Sequence, residues 1–207
     1  RGVAGPGIGV VTACPMDPAA PEAVHRILHE LHTHPPTSAA AEALESRHFD
    51  ALLDAAMDGG GAEGRVLSPL LSSSAAAVGA ACGMAELGPE DVVLDVGCGD
   101  GRVAVALAEG AGCACVGVDV SEDCVRVARS LAEARGLQPS RVRFECVDAT
   151  DPAQLAAALG GAVVTVAYLF VHTPLLREVV PSIVAALGGR SLALVTNTFH
   201  PEDLEAV

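Results

Sequence analysis

Residues 92–101 read Val-Val-Leu-Asp-Val-Gly-Cys-Gly-Asp-Gly, an apolar run that ends in an acidic residue and three glycines at alternate positions. The apolar run predicts a buried strand of a parallel sheet. The glycines predict a turn whose backbone approaches a ligand with no Cβ in the way, and the helix that follows offers free amide groups at its N-terminus. We therefore expect a nucleotide-like ligand at the end of this strand.

From about residue 72 onward, short valine-rich segments alternate with helical segments, which is the signature of a parallel sheet with crossover helices. Glycines fall where these helices are expected to stop. We predict an α/β fold, a Rossmann-like doubly wound sheet, mostly parallel, with strand order 3-2-1-4-5 and helices on both faces. The predicted strands are 92–96, 114–118, 142–147, 163–169 and 191–196, and the predicted helices are 73–87, 101–109, 122–136, 152–159 and 174–187.

Residues 1–64 predict an N-terminal extension to this core. Residues 1–21 are rich in Gly, Pro and Ala and predict a flexible lead-in. Amphipathic patterns then predict helices over 22–33 and 39–57, which could form a lid. A glycine-rich segment follows, so the core is expected to occupy 65–207.

Composition narrows the classes of function. Hydrophobic residues make up 51% of the 207 residues, but no apolar run reaches the roughly 18 to 20 residues that span a bilayer, so we expect no membrane span. The net charge is −14, and phosphate binding depends on Lys and Arg clusters. We therefore expect no nucleic-acid substrate and favour a basic or neutral one. Seven cysteines without a CxxC pair indicate reduced thiols in an intracellular compartment, cytoplasmic or organellar.

Two further acids end the next two predicted strands. Asp119 lies about twenty residues beyond the glycine turn, the distance at which an acid can accept ribose hydroxyls. Asp148 ends the third strand, and Asp95 and Asp100 can supply carboxylates to a cationic ligand end. Carboxyl-end acids on three successive strands predict a binding site. The predicted ligand-binding residues are Asp95, Gly97, Cys98, Gly99, Asp100, Gly101, Asp119, Val120, Asp148 and Ala149.

The spacing of the glycines separates two kinds of nucleotide ligand. A dinucleotide fingerprint needs its third glycine at position 102, where this chain has Arg102. The glycine falls at Gly101 instead, and the spacing is GxGxG. A nicotinamide oxidoreductase is therefore a disfavoured alternative.

The stretch VVLDVGCGDGRVAVALAEG, followed by VGVDVS and RVRFECVDATD, resembles the motifs of class I S-adenosylmethionine-dependent methyltransferases in order and spacing. The resemblance implies S-adenosylmethionine as cofactor and S-adenosylhomocysteine as product. It also implies roles for the acids: Asp95 and the glycine turn hold the methionine part, Asp119 binds ribose, and Asp148 binds the adenine amino group.

A narrower resemblance is to the small lysine methyltransferases typified by the ATP synthase c-subunit and adenine nucleotide translocase enzymes. It covers about 65–200 and rests on Val66 to Pro69, on Gly99 to Arg102, and on Tyr168-Leu169. The chain departs from that pattern at Leu70, where Thr is usual. It also lacks an Asn-Pro-Pro-Tyr segment in strand four. A complete fold of this family continues past strand five into a β-hairpin, which is either absent or lies beyond Val207. The acceptor therefore stays open between a protein, with lysine as one candidate, and a small molecule.

Strand four is expected to deliver Tyr168 and His172 to the place where the methyl group departs. Methyl transfer is an in-line displacement, so placement and desolvation of the acceptor can supply most of the acceleration. Tyr168 has a pocket role or a packing role, and His172 is a base or a structural residue. The alternative to catalysis is a methyltransferase-like module that binds the donor or a partner.

The spacing of His25, His29 and His32 places the three imidazoles on one helical face, which raises the possibility of a metal site. No Cys or clustered carboxylate completes such a site. We interpret the stripe as a solvated or lid surface and expect no metal.

Overall fold

The structure, a computed structural model, describes residues 9–12, 22–33, 73–171 and 173–196. The strands in this part of the chain are β1 (Gly9–Thr12), β2 (Val92–Val96), β3 (Ala114–Asp119), β4 (Val142–Cys146), β5 (Val166–Leu169) and β6 (Ala193–Thr196). The helices are α1 (Glu22–Thr33), α2 (Ala75–Met84), α3 (Arg102–Gly110), α4 (Glu122–Ala134), α5 (Pro152–Leu159) and α6 (Thr173–Ala186). None of these helices is long and apolar enough to cross a bilayer.

The strands form one sheet in the order β1-β6-β5-β2-β3-β4, and every pair is parallel. The five strands from β2 to β6 reproduce the order 3-2-1-4-5, which confirms the predicted fold. The chain leaves β2 toward β3 and β4 on one side, and later returns to the other side of β2 with β5 and β6. The carboxyl end of β2 is therefore the switch point of the sheet, where ligands bind in folds of this kind.

β1 was not predicted. Gly9–Thr12 pair in parallel with Ala193–Thr196 of β6, so the expectation of a flexible lead-in does not hold for these four residues. The outer edge of β6 would otherwise present unpaired backbone groups, and β1 covers it. Four residues are too few to produce a visible periodicity, and this explains why the sequence pattern did not reveal the strand.

The core lies on both faces of the sheet because strand side chains alternate in direction. Val93 belongs to the apolar cluster on one face, with residues of α1 to α4, whereas Leu94 belongs to the cluster on the other face, with residues of α5 and α6. Asp95 follows Val93 at a spacing of two and therefore points toward the face of α2, α3 and α4.

Helix α1 coincides with the predicted helix 22–33, and its apolar stripe is buried against α2 and α3. Val24 and Leu28 are fully buried in this contact. The approach to α3 is close: a Cβ on Gly110 would lie 2.6 Å from the backbone nitrogen of Val24. The second predicted helix, 39–57, lies outside the described residues.

Candidate functional site

The turn after β2 is anchored to β3 by backbone hydrogen bonds. The N–H groups of Gly97 and Cys98 both donate to the carbonyl oxygen of Val118, at 2.9 and 3.1 Å. The turn ends at Gly101, the N-cap of α3, whose φ of 80° lies in the left-handed region that favours glycine. The chain is thereby turned sharply from strand into helix at the switch point of the sheet.

The ring of Phe144 on β4 packs underneath this turn. A Cβ on Gly101 would lie 2.7 Å from Phe144 Cζ, and a Cβ on Gly117 would lie 2.5 Å from Phe144 Cδ1. Gly101 is therefore required by the ring as well as by the turn, whereas Gly117, inside β3, is required by the ring alone. Sequence reasoning missed Phe144, although an isolated glycine such as Gly117 inside a valine-rich strand is a known signal of a close approach.

Asp119 links the end of β3 to the glycine turn. Its Oδ2 accepts a hydrogen bond from the N–H of Gly99 at 2.9 Å, and its Oδ1 accepts one from the N–H of Ser121 at 2.9 Å. The side chain is half-buried. Each carboxylate oxygen has two lone pairs, so Asp119 retains capacity to accept hydroxyl donors from a ligand.

Asp95 is buried at the end of β2, with 3% of its surface exposed. Within the described part of the chain, its buried Oδ2 has no hydrogen-bond partner. Burial, together with the nearby charges of Asp119 and Asp100, raises the pKa of Asp95 to about 7. A buried carboxylate in an acidic neighbourhood suits a cationic ligand group, because such a group would supply both a charge and a donor.

Asp100 and Arg102 form an ion pair within the turn. The Nε of Arg102 donates to Oδ2 of Asp100 at 2.7 Å and to Oδ1 at 2.9 Å, and its Nη2 donates to Oδ2 as well. The sequence predicts that Asp100 offers its carboxylate to a cationic ligand group. In the structure, Arg102 already binds that carboxylate and would compete with such a ligand. Asp95, whose Oδ2 has no such partner, is the better candidate for that role.

The remaining predicted ligand-binding residues lie along the same end of the sheet. Asp148 directly follows the β3–β4 pairing, because the N–H of Val147 donates to the carbonyl of Asp119. Oδ1 of Asp148 accepts bonds from the N–H and hydroxyl of Thr150, at 2.9 and 2.6 Å. Val120 is 40% exposed at this edge. Ala149 is half-buried against the apolar cluster next to α5 and α6.

Cys98 differs from its neighbours in the turn, because its side chain points inward. The residue is buried, and burial raises the pKa of its thiol well above the usual range. The sequence predicts Cys98 as one of the ligand-binding residues. Both the backbone of Cys98 and its buried thiol take part in the turn, because the Sγ donates to the carbonyl oxygen of Gly99 at 3.9 Å.

Tyr168 stands beside Asp95 in the β2–β5 register but is 3% exposed. Its hydroxyl donates to Oγ of Ser73 at 3.1 Å, and Ser73 lies two residues before α2. This contact gives Tyr168 a structural role that the sequence did not reveal, because the two residues are 95 positions apart. His172, the other predicted catalytic residue, lies outside the described residues.

The histidine stripe of α1 ends at His32, which lies close enough to the glycine turn to sense the charges of Arg102 and Asp100. The rings of His25 and His29 are stacked, with centroids 6.3 Å apart. Desolvation and the charge of Arg102 lower the pKa of the half-buried His32. Over the described ranges, no group of three or more His, Cys, Asp or Glu side chains could hold a metal ion.

A cavity of about 500 Å³ lies elsewhere, along the outer side of β4 and the end of α4. Its polar walls include Arg129, which donates to the carbonyl oxygen of Phe144 at 2.6 Å, and Arg143, which donates to that of Leu159 at 2.6 Å. None of the switch-point carboxylates lines it. We place the candidate site at the switch point because the available ligand-binding groups converge there, whereas the cavity is defined by volume alone.

Comparisons with known proteins concern the family and the fold of the chain. Residues 93–188 match the protein family described as a methyltransferase domain. Among solved structures, an RNA methyltransferase from Salinibacter ruber in complex with S-adenosyl-L-homocysteine superimposes with a TM-score of 0.52 and 23% identity, over 64% of this chain and 81% of that chain. The YcgJ protein from Bacillus subtilis gives a TM-score of 0.44 and 24% identity, over 61% of this chain and 52% of that chain. No curated protein sequence matches the chain.

The family match gives no support to the alternative of a nicotinamide oxidoreductase, and the Salinibacter structure agrees with the class I fold. The buried Oδ2 of Asp95 also fits a cofactor that carries positive charge. Residues 93–188 therefore resemble a methyltransferase domain, and the described core has the Rossmann-like class I methyltransferase fold.

Proposed function

We propose that this protein transfers a methyl group from S-adenosylmethionine to a basic or neutral acceptor, either a protein side chain, with lysine as one candidate, or a small molecule. The observation that carries the proposal is the convergence of Asp95 and Asp119 on the glycine turn, with Asp148 on the adjacent strand. The proposal assigns donor binding to this end of the sheet. It assigns acceptor binding to the neighbouring region beside β5.

The roles proposed for the acids follow from their surroundings. Asp95 has a buried oxygen without a partner among the described residues and suits the cationic methionine part. Asp119 is half-buried, is held by two backbone amides, and suits the ribose hydroxyls. Asp148 is held by Thr150 one strand further along and suits the adenine amino group. The glycines 97, 99 and 101 keep side chains out of the space between these acids.

Bound S-adenosylmethionine supplies a sulfonium methyl group that is ready for displacement. The task left to the protein is to position and desolvate the acceptor in line with that methyl group, which requires no strong base. Tyr168 contributes through its bond to Ser73, which holds the start of α2 against β5. His172 remains a candidate base, and it would act only on an acceptor that must lose a proton.

The acceptor class is argued from charge. The chain carries a net charge of −14, which attracts basic segments and repels nucleic acid. The Salinibacter protein is an RNA methyltransferase by name, but an identity of 23% concerns the fold and not the acceptor. A lysine acceptor draws its support from the Gly99 to Arg102 segment and from Tyr168-Leu169, the two described parts of the narrower resemblance.

Donor binding is tested by titration calorimetry of S-adenosylmethionine and S-adenosylhomocysteine with wild type, Asp119→Asn and Asp91→Asn. Asp91 is the matched control, because it also accepts a backbone N–H but lies at the opposite end of β2. We expect Asp119→Asn to weaken binding by roughly 1 to 3 kcal/mol, the cost of unpaired polar groups, and Asp91→Asn to leave the affinity unchanged. Equal losses in the two variants would contradict the assigned site.

Transfer is tested with tritium-labelled S-adenosylmethionine and a cell lysate separated into protein, RNA and small-molecule fractions. We expect label in the protein or small-molecule fraction with wild type and a clear loss of label with Asp119→Asn at subsaturating donor. Label in RNA would overturn the acceptor class. Donor binding without label in any fraction would favour the non-catalytic module instead.

A further inference from the structure

Asp95 is the only Asp or Glu that is fully buried in the part of the chain that the structure describes. Its neighbours in the sheet are Gly117 on one side, which has no side chain, and Tyr168 on the other. The hydroxyl of Tyr168 is directed to Ser73. Among the described residues, no group donates a hydrogen bond to the buried Oδ2 of Asp95.

The charged groups around Asp95 add to the cost of ionising it. Asp119 at the end of β3 and Asp100 in the turn are both acidic and act on its charge. The thiols that sense its charge, Cys98 in the turn and Cys115 on β3, have raised pKa values themselves. The nearby cation, Arg102, is bound to Asp100. Burial and acidic neighbours act in the same direction, and the protonated form of Asp95 is favoured below about pH 7.

S-adenosylmethionine carries two cations, the α-ammonium group and the sulfonium. Its product, S-adenosylhomocysteine, retains only the ammonium group, and methylthioadenosine has neither. An ammonium group can donate a hydrogen bond to a carboxylate and also supply positive charge, whereas a sulfonium has no N–H to donate. The unpartnered Oδ2 of Asp95 requires both a donor and a positive charge, so the ammonium group is its better match.

We propose that Asp95 is protonated before the cofactor binds and loses that proton to solvent when the α-ammonium group docks against it, so that cofactor binding is coupled to proton release. The O–H bond of the carboxylic acid breaks, the proton passes to water or buffer, and the carboxylate accepts an N–H of the ammonium group. This inference rests on the proposed role of Asp95 at the methionine part of the cofactor. It makes the affinity for both cofactor and product increase with pH.

The test is titration calorimetry of S-adenosylhomocysteine at pH 6 and pH 8, each in two buffers with different ionisation enthalpies. We expect release of about one proton per ligand at pH 6 and almost none at pH 8, with a Kd about tenfold tighter at pH 8. Methylthioadenosine is the matched ligand control on the unaltered protein and should bind with the same Kd at both pH values.

Asp95→Asn is the matched variant and should abolish the proton release while the protein still binds. If this variant does not fold, the comparison of the two ligands on wild type decides the question alone. Product binding with an unchanged Kd and no proton release would overturn the inference and leave the proposed function intact. Release with S-adenosylmethionine but not with S-adenosylhomocysteine would overturn the assignment to the ammonium group. Absence of binding by every ligand at both pH values would instead remove the proposed function.

Discussion

The two ends of β2 carry acidic residues in opposite states. At the amino end, Oδ2 of Asp91 accepts the N–H of Gly88 at 2.9 Å, and its Oδ1 accepts the hydroxyl of Thr165 at 2.9 Å. At the carboxyl end, the buried Oδ2 of Asp95 has no partner among the described residues. The hydrogen bonds of Asp91 are made within the fold, whereas we propose that a ligand supplies the partner of Asp95.

This difference between Asp91 and Asp95 shows which end of β2 lowers the stability of the fold. A buried carboxylate without a partner destabilises the folded chain, whereas a carboxylate that accepts two bonds stabilises it. The glycines at the carboxyl end are similarly confined, between the turn and the ring of Phe144. The unsatisfied carboxyl group of Asp95 and the crowded Gly101 therefore lie at the end of β2 that we propose as the binding site.

The largest expected effect is a loss of stability when a glycine at either end of the sheet is replaced by alanine. Gly101 and Gly112 both have positive φ values, but a Cβ on Gly101 would meet Phe144 and Ala128 at 2.7 Å, whereas a Cβ on Gly112 would first meet Pro89 at 3.5 Å. We expect Gly101→Ala to cost roughly 3 to 5 kcal/mol, because backbone strain and overpacking add. Gly112→Ala should cost roughly 1 to 2 kcal/mol, from strain alone. Urea unfolding measures both losses in the free energy of unfolding. Equal losses would contradict the difference between the two ends of the sheet.

A smaller effect concerns the pH dependence of stability. The folded state raises the pKa of Asp95 from 3.8 to about 7, so the folded chain binds more protons than the unfolded chain between those values. Asp95 therefore makes the free energy of unfolding fall as pH rises from about 4 to 7, by roughly 2 to 4 kcal/mol. Asp95→Asn removes this contribution. Urea titrations of both proteins across that range measure it, and parallel profiles would contradict the assignment.

The smallest expected effect concerns an ion-pair cluster at the amino end of the sheet, where α3 and α4 end. Arg135 donates to both carboxylate oxygens of Glu109, at 2.9 and 2.6 Å, and to Glu30 of α1 at 3.0 Å. Because these side chains are partly exposed, we expect Arg135→Ala to cost about 1 kcal/mol. The cost should shrink in 1 M salt, and the affinity for S-adenosylhomocysteine should stay at the wild-type value. A change in that affinity would mean that the two ends are coupled.

Much of the fold could be predicted because its signals are local. The apolar run and the GxGxG spacing placed β2, the turn and α3, and the stripe of Val24, Ile27, Leu28 and Leu31 placed α1 at its observed bounds. The order of alternating strands and helices was enough to predict the five-stranded order of the sheet. The acids at the strand ends were predictable for the same reason, since parallel strands share a carboxyl edge.

Only the tertiary structure decided which distant residues are in contact. Sequence could not pair Tyr168 with Ser73, bring Gly9–Thr12 to the edge of β6, or place the ring of Phe144 under Gly101 and Gly117. The state of Asp95 is of the same kind, because a carboxylate's pKa depends on burial and on charges brought close by other strands. Periodicity and spacing are properties of neighbouring residues and can be read along the chain. Desolvation and contact between distant residues exist only once the sheet has assembled.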